Sequence, residues 1–345
     1  MKKTIKTAAY IAIAIAAIGC AKVAKTGANE ENKRYFDAWM EVNHPGVQPT
    51  GLGIYILEEE EGTGAEVKEG GYVMADYVIT DLLGNISTYT DKQTAKQLGT
   101  YDTTTYYGPK VLSTIEGTLQ AGLADAIIGM KEGGRRKVII PSWLMTYNTY
   151  DNPEEYLENS SAGSNSIYDI TIRAYTDSIY NYELECIGDY FKANSNVFGD
   201  MTVKDSTGMY GFYYKLLDRK ADIDTAAFPK DTSIYINYTG KLLNGLVFDT
   251  TIEKVAKDNG LWSATRTYGP TKINWGESYD KITMGSSSST TISGFSLTLW
   301  QMREFDKGVG IFYSPLGYGY SGSGSSIPSY SPLIFEIEIV PEPED

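Results

Sequence analysis

The sequence predicts an α+β protein of two similarly built units, each an antiparallel sheet wrapped around a short helix, with a further helix ahead of the first. Three observations lead there. The chain has 345 residues, past the length at which one hydrophobic core stops growing, so two domains are expected. Short stretches alternate with a period of two: in residues 233–238, Ile234, Ile236 and Tyr238 fall on one face while Tyr235 and Asn237 fall on the other. Third, landmarks recur at matched spacings. Tyr77 stands seven residues before Gly84, and Tyr238 seven before Gly245; Gly122 stands eight before Met130, and Gly294 eight before Met302. The stretch 167–172 (Ile-Tyr-Asp-Ile-Thr-Ile) matches 334–339 (Ile-Phe-Glu-Ile-Glu-Ile) position for position. Strands that outnumber one short helix argue for an antiparallel sheet folded over that helix to bury its apolar face.

Residues 1–19 read as a signal peptide. Lys2, Lys3 and Lys6 form a positive start, and residues 8–18 are an apolar run, shorter than the roughly 20 residues that span a bilayer. The run ends Ala17-Ile-Gly-Cys20, which resembles a bacterial lipobox with Ala17 where Leu is commoner. The expectation is that Cys20 becomes the lipid-modified N-terminus of the mature protein, a membrane anchor placing it in the bacterial cell envelope, periplasmic or outer-membrane. An ordinary cleaved signal with a chance cysteine is the alternative.

Residues 20–48 then give a lipid tether and an N-terminal helix. The helix is expected over 30–42, with Tyr35, Phe36, Trp39 and Met40 on one face, Asn29 as its cap, and acidic Glu30 and Glu31 in its first turn. His44-Pro-Gly46 ends it. Residues 49–177 form the first unit, whose opening strand starts at residues 53–57. Residues 178–209 form a connecting helix, expected over 182–194, and a linker. Residues 210–345 form the second unit, opening with a strand at 211–216. Three loops are long or low in complexity: 147–166, 250–291 and 319–326.

Composition excludes several functions. Apolar residues at 42% and charged residues at 21% are those of a globular chain. The 28 Tyr against 10 Phe favour half-buried strands and binding surfaces, because Tyr buries its ring while keeping a wet end. The formal charge is −14; losing residues 1–19 removes three lysines, giving 27 − 44 = −17. So acidic a chain repels nucleic acid, and no nucleic-acid partner is expected. His44 is the only histidine, which leaves no Ser-His-Asp triad independent of that turn and too few ligands for a His/Cys zinc site. With Cys20 lipidated, Cys186 is the only thiol, so no intrachain disulfide forms; its apolar setting at 184–187 favours a buried structural role. The carboxylates Glu58, Glu59, Glu60 and Glu61 read as a solvated turn rather than a cation site. No cofactor and no metal are expected.

The second unit carries the chemistry. Tyr238-Thr-Gly240, Gly245, Val247-Phe-Asp249, Ile292 with Gly294-Phe295, Leu316-Gly-Tyr-Gly319, and Ile327-Pro328 leading to Leu333-Ile-Phe335 lay out an aromatic pocket with one carboxylate and two phenols. Singly, Phe248, Phe295 and Phe335 read as core. Asp249 shifts the balance, because a carboxylate among apolar rings is costly unless paired or facing a cleft. In the order and spacing of these residues, positions 210–340 resemble the FKBP-type peptidyl-prolyl cis-trans isomerases.

That resemblance implies a prolyl isomerase acting on proline-containing unfolded or exported polypeptides. It implies that Phe295 is the pocket floor, where the family most often has Trp, and that Tyr238, Phe248 and Phe335 wall the proline ring. It implies that the Ile292 N–H and the Tyr318 hydroxyl hold substrate carbonyls, with Asp249 beside the rotating amide. Tyr238, Asp249 and Tyr318 are the expected catalytic residues; Phe248, Ile292, Phe295 and Phe335 are the expected substrate contacts. The family's strand before Ile292 is placed at 272–276. The first unit keeps Tyr77 but has Ser87-Thr88 at the Phe-Asp positions, Leu123 at the floor, Gln120 at the Ile292 position and Thr146 near the loop tyrosine. It is expected to share the fold without the activity. A non-catalytic peptide-binding chaperone or scaffold lipoprotein, and a glycan-binding lipoprotein suggested by the tyrosines and acidity, are the competing readings.

Overall fold

The computed structural model describes residues 29–161, 163–220, 226–285 and 290–344. The expected signal peptide and the Cys20 acylation site lie outside the described residues. No helix among the described residues is long and apolar enough to cross a membrane.

The chain is α+β, with two antiparallel sheets. Helix α1 (Glu30–Asn43) leads into β1 (Tyr55–Glu60), β2 (Tyr72–Thr80), β3 (Ile86–Tyr89), α2 (Lys92–Gln97), β4 (Lys110–Ser113), α3 (Ala121–Ile127), β5 (Arg135–Ile140), α4 (Pro153–Asn159) and β6 (Ser166–Thr176). Helices α5 (Ile179–Ala193) and α6 (Ser195–Phe198) follow. Then come β7 (Phe212–Asp218), β8 (Ser233–Leu242), β9 (Val247–Thr250), α7 (Glu253–Asp258), β10 (Thr271–Asn274), β11 (Thr283–Met284), α8 (Ser293–Gln301), β12 (Lys307–Phe312) and β13 (Leu333–Val340).

The first sheet runs β1-β5-β6-β2-β3 with β4 also on β2; the second runs β7-β12-β13-β8-β10-β11 with β9 also on β8. The order is the same in both, except that the second sheet adds β11 beyond β10. The registers agree too: Tyr77 lies opposite Ile170, and Tyr238 opposite Ile337. The repeat read from landmark spacing is thus a repeat of topology. In both units a glycine near the start of a helix presses on the sheet. A methyl at Gly294 would sit 2.3 Å from the Phe312 ring, and one at Gly122 2.4 Å from Ile140.

Each sheet buries one face on its short helix. The second sheet is covered on its other face as well, by the apolar stripe of α5: Leu184, Ile187 and Phe191 pack with Tyr213, Val309, Ile311 and Ile334. The connecting helix therefore belongs to the packing of the second unit.

Several expectations need correction. Asn29 stands at the N-cap of α1, but its side chain does not cap the helix; its buried Nδ2 donates to the Leu157 and Ser160 carbonyls at 3.1 and 2.7 Å, supplying donors that the end of α4 lacks. Phe36 and Met40 are buried, but Tyr35 points into solvent. Glu58, Glu59 and Glu60 lie within β1, where they face Arg135, Arg136 and Lys137 of β5, and Glu61 takes Lys131. A cross-strand ion-pair ladder replaces the solvated turn. Cys186 is only partly buried and lines a cleft between the units.

Candidate functional site

The site is built on β8, the second sheet's most connected strand, paired with β9, β10 and β13. β8 carries Tyr238, and β9 carries Phe248 and Asp249. Position 240 decides how they meet. Gly240 lies opposite Phe335 on one side and Asp249 on the other. A methyl there would come within 2.5 Å of the Phe248 ring and 2.9 Å of the Phe335 ring, so the missing side chain is what lets the two rings close over the strand. Phe335 has glycine as its partner on β12 too, Gly310. Thr298 of α8 presses onto Gly310, where a methyl would fall 1.8 Å from its Oγ1, and anchors itself to the Gly294 carbonyl at 2.7 Å. That close approach brings Phe295 down onto the strands.

The rings form one cluster. Phe295 stands edge-on to Tyr238 at 5.4 Å and to Phe335 at 5.1 Å, while Phe248 meets Phe335 at 5.6 Å. Phe335 in turn stacks on Phe312 at 5.9 Å, the planes 4° apart. Edge-to-face packing is favoured because the positive ring edge meets the negative ring face. Tyr238, Phe295 and Phe335 are buried, whereas Phe248, Asp249 and Ile292 are half-buried and Tyr318 is 37% exposed. The structure thus gives a buried aromatic floor with a partly open rim.

Asp249 has both oxygens engaged. Oδ2 accepts from the Tyr238 hydroxyl at 2.5 Å. Oδ1 takes Arg266 Nη1 at 2.6 Å and the Thr250 N–H at 2.9 Å. Burial raises the Tyr238 phenol far above its ordinary pKa, and the charge on Asp249 adds to the rise. Burial also raises Tyr318, with Asp249 again the second cause; the carboxylate and this hydroxyl therefore share one field. Both phenols remain protonated donors at neutral pH. The two oxygens of Asp249 are thus occupied by donors from the protein itself.

Ile292 stands at the N-cap of α8 with extended backbone, and its N–H makes no hydrogen bond to another described residue. Tyr318 sits on a tight turn. The Ser314 carbonyl accepts the N–H groups of Gly317 and Gly319, at 2.8 and 2.9 Å, on either side of it. Gly319 is left-handed (φ +57°), a conformation glycine adopts without strain. Tyr238, Phe248, Asp249, Phe295 and Phe335 are in contact with one another, Ile292 packs against the same core, and Tyr318 feels the Asp249 charge. Strand β10, at 271–274, occupies the edge assigned to residues 272–276. Sequence reasoning missed Arg266. It lies in the long 250–291 insert, steadied by the Tyr268 ring at 5.4 Å, and no periodicity or spacing marks it.

The first unit shows what this arrangement lacks elsewhere. Tyr77 bonds to Thr90 through backbone and side chain as Tyr238 bonds to Thr251, which aligns Ser87 and Thr88 with Phe248 and Asp249. Gln120 occupies the N-cap of α3 as Ile292 does that of α8. No carboxylate stands at the Asp249 position. Thr146, at the Tyr318 position, gives its carbonyl to the Ala121 N–H at 2.8 Å.

No family model matches the chain. Three curated relatives do. The macrophage infectivity potentiator of Trypanosoma cruzi is 29% identical over 110 residues, 32% of this chain and 43% of that protein. A probable FKBP-type peptidyl-prolyl cis-trans isomerase of Haemophilus influenzae is 28% identical over 153 residues, 44% of this chain and 50% of that one. FK506-binding protein 1 of Dictyostelium discoideum is 27% identical over 112 residues, 32% of this chain and 82% of that protein. The chain thus spans half the length or less of the first two. Among solved structures, the three FKBP domains of wheat FKBP73 give a TM-score of 0.28 at 14% identity, over 83% of this chain and 93% of that one. FkpA from Escherichia coli gives 0.29 at 18% identity, over 51% and 72%.

Proposed function

We propose that this chain, which is similar in sequence to FKBP-type peptidyl-prolyl cis-trans isomerases, is a prolyl isomerase whose activity resides in the second unit. The observation that carries this is the Asp249 carboxylate, fixed by Tyr238 and Arg266 beside a floor of aromatic rings.

Rotation about an X-Pro bond faces a barrier of roughly 18–20 kcal/mol from amide conjugation. The planar amide is strongly dipolar; the half-twisted one, having lost conjugation, is less so. An aromatic slot costs the planar state more hydration than the twisted state, and that difference is a preference for the transition state. Each tenfold acceleration needs about 1.4 kcal/mol, within reach of shape, a desolvated slot and one or two hydrogen bonds. In this reading Phe295 is the floor under the proline ring, with Tyr238, Phe248 and Phe335 as walls. The Ile292 N–H and the Tyr318 hydroxyl hold carbonyls of the substrate, and Asp249 supplies a fixed field beside the rotating amide. No proton is moved, so a chain with one histidine suffices.

The clients we propose are proline-containing exported polypeptides, met by a protein held in the bacterial envelope through lipid on Cys20. The first unit, with Thr88 in place of the carboxylate, is inactive. The deciding assay follows a proline tetrapeptide with the mature chain. Acceleration that falls on Asp249→Val supports the reading, and a rate equal to background removes it. Palmitate labelling that survives Cys20→Ser would remove the anchor.

A second reading, a peptide-gripping module without useful catalysis, is favoured by a cleft of about 780 Å³ between the units, lined by Tyr106, Tyr182, Tyr190, Leu243 and Tyr330. It expects suppression of aggregation to persist when Asp249 and Tyr318 are both replaced.

A further inference from the structure

The turn that carries Tyr318 is held from outside its own sheet. Helix α5 packs its apolar stripe on the second sheet, yet one member of that stripe is Glu183, 1% exposed. An unpaired carboxylate there would be costly, and it is not unpaired. Oε2 accepts the Ser314 N–H at 2.5 Å and Oε1 accepts the Ser314 hydroxyl at 2.7 Å. Ser314 is itself fully buried. Its carbonyl then takes the N–H groups of Gly317 and Gly319, the two neighbours of Tyr318. A continuous path of hydrogen bonds thus runs from the connecting helix through one serine to both sides of the rim tyrosine.

The equivalent serine of the first unit is held differently. The Ser142 N–H is taken by Asn165, at 2.8 Å, from a loop of the same unit, and its buried hydroxyl has no partner among the described residues. Where the rim tyrosine is missing, the two-point clamp from a helix is missing as well.

We propose that Glu183 is a positioning residue for the isomerase site, fixing through Ser314 the turn that aims the Tyr318 hydroxyl at the substrate. The connecting helix is then a working part of the second unit's site. For its activity arm this rests on the isomerase reading above. Burial raises the Glu183 carboxyl to about 7, and either protonation state can keep both contacts. The ionised form accepts twice; the neutral form accepts the N–H and donates to the Ser314 oxygen. An amide at this position can do the same.

The test is a double-mutant cycle in the full mature chain, read as kcat/KM on a proline tetrapeptide and as amide hydrogen exchange at Gly317 and Gly319. Glu183→Ala is expected to lower kcat/KM about tenfold when Tyr318 is present and less than about twofold in the Tyr318→Phe background. Glu183→Gln is expected to stay within about twofold of the parent. Exchange at Gly317 and Gly319 is expected to quicken at least about tenfold in Glu183→Ala alone. Equal losses in both backgrounds, or unchanged exchange at these two amides, overturn the proposal. If the parent shows no isomerase activity, the isomerase reading fails and the exchange measurement alone decides whether Glu183 holds the turn. If Glu183→Ala does not fold, Ser314→Ala, which deletes only the hydroxyl arm, carries the same cycle and the same exchange criterion.

Discussion

Tyr238 gives its hydroxyl hydrogen to Asp249 at 2.5 Å, from one strand to the next. The carboxylate raises the phenol's pKa, and it does the same to Tyr318, in each case after burial as the larger cause. Replacing Asp249 with Asn keeps the shape and removes the charge. Spectrophotometric titration should then show both phenols ionising at lower pH than in the parent, though still above ordinary tyrosine, because burial remains. Phenols unmoved by Asp249→Asn would mean that the three groups do not share one field.

Gly240 is the gap into which two aromatic walls close. Gly240→Ala places a methyl 2.5 Å from Phe248 and 2.9 Å from Phe335. Overpacking of this kind costs about 1–3 kcal/mol. Chemical denaturation should show that loss, and substrate affinity should fall with it because both walls are displaced. Unchanged stability would show that the rings can retreat freely.

Phe295 is buried against Tyr238 and Phe335. Phe295→Ala opens a cavity under the site and should destabilise the second unit by about 3–5 kcal/mol. Calorimetry is the measurement, with the second unit's transition moving more than the first's. A loss below about 1 kcal/mol would show that the site collapses to fill the void.

Arg219 holds the fully buried Asp306 with two bonds, at 2.7 and 2.6 Å. Arg219→Ala removes that cation, leaving the Arg303 N–H on Oδ2 at 2.7 Å, and should cost about 3 kcal/mol. Replacing both residues with apolar ones should recover much of the loss. A double variant as unstable as the single one would contradict this.

Glu183 predicts a pH dependence. Its folded pKa, about 7, lies above the ordinary carboxylate value of 4.5, chiefly through burial. The folded state therefore binds more protons than the unfolded state between these values, and stability falls as pH rises from about 4.5 through 7. Around Glu183, the phenols of Tyr313 and Tyr330 and the thiol of Cys186 are all raised in pKa and neutral in this range, so none of them offsets it. Glu183→Gln removes the contribution, and denaturation midpoints at pH 5 and pH 8 should lie closer together than in the parent. An unchanged gap would place the titration on another group.

Much of the site was legible because its residues stand in an order and spacing that resemble those of a known family. Tyr238, Phe248, Asp249, Phe295 and Phe335 are named through their resemblance to the FKBP-type isomerases; alternation alone places Phe248 and Asp249 on opposite faces of β9. Arg266 and Glu183 were not legible. Arg266 lies in a loop without periodicity. Glu183 is an acidic residue among the apolar positions of an amphipathic helix, which local pattern assigns to solvent; only the sheet beneath it shows that the residue is buried. The exposure of Tyr35 and the turning of the Asn29 side chain away from its own helix were hidden for the related reason that a helix's phase does not say which neighbour will cover it.

By itself the sequence determined the α+β class and the duplicated order of strands and helix, as consequences of period and spacing along the chain, and it named the aromatic and acidic groups of the second sheet through their resemblance to a known family. Tertiary structure alone decided which cation faces Asp249, that the ladder of β1 glutamates is paired with β5, and that the connecting helix reaches the Tyr318 turn. These are contacts between segments far apart in the chain, and their partners are selected by packing and by the cost of burying a charge unpaired, which no local pattern encodes.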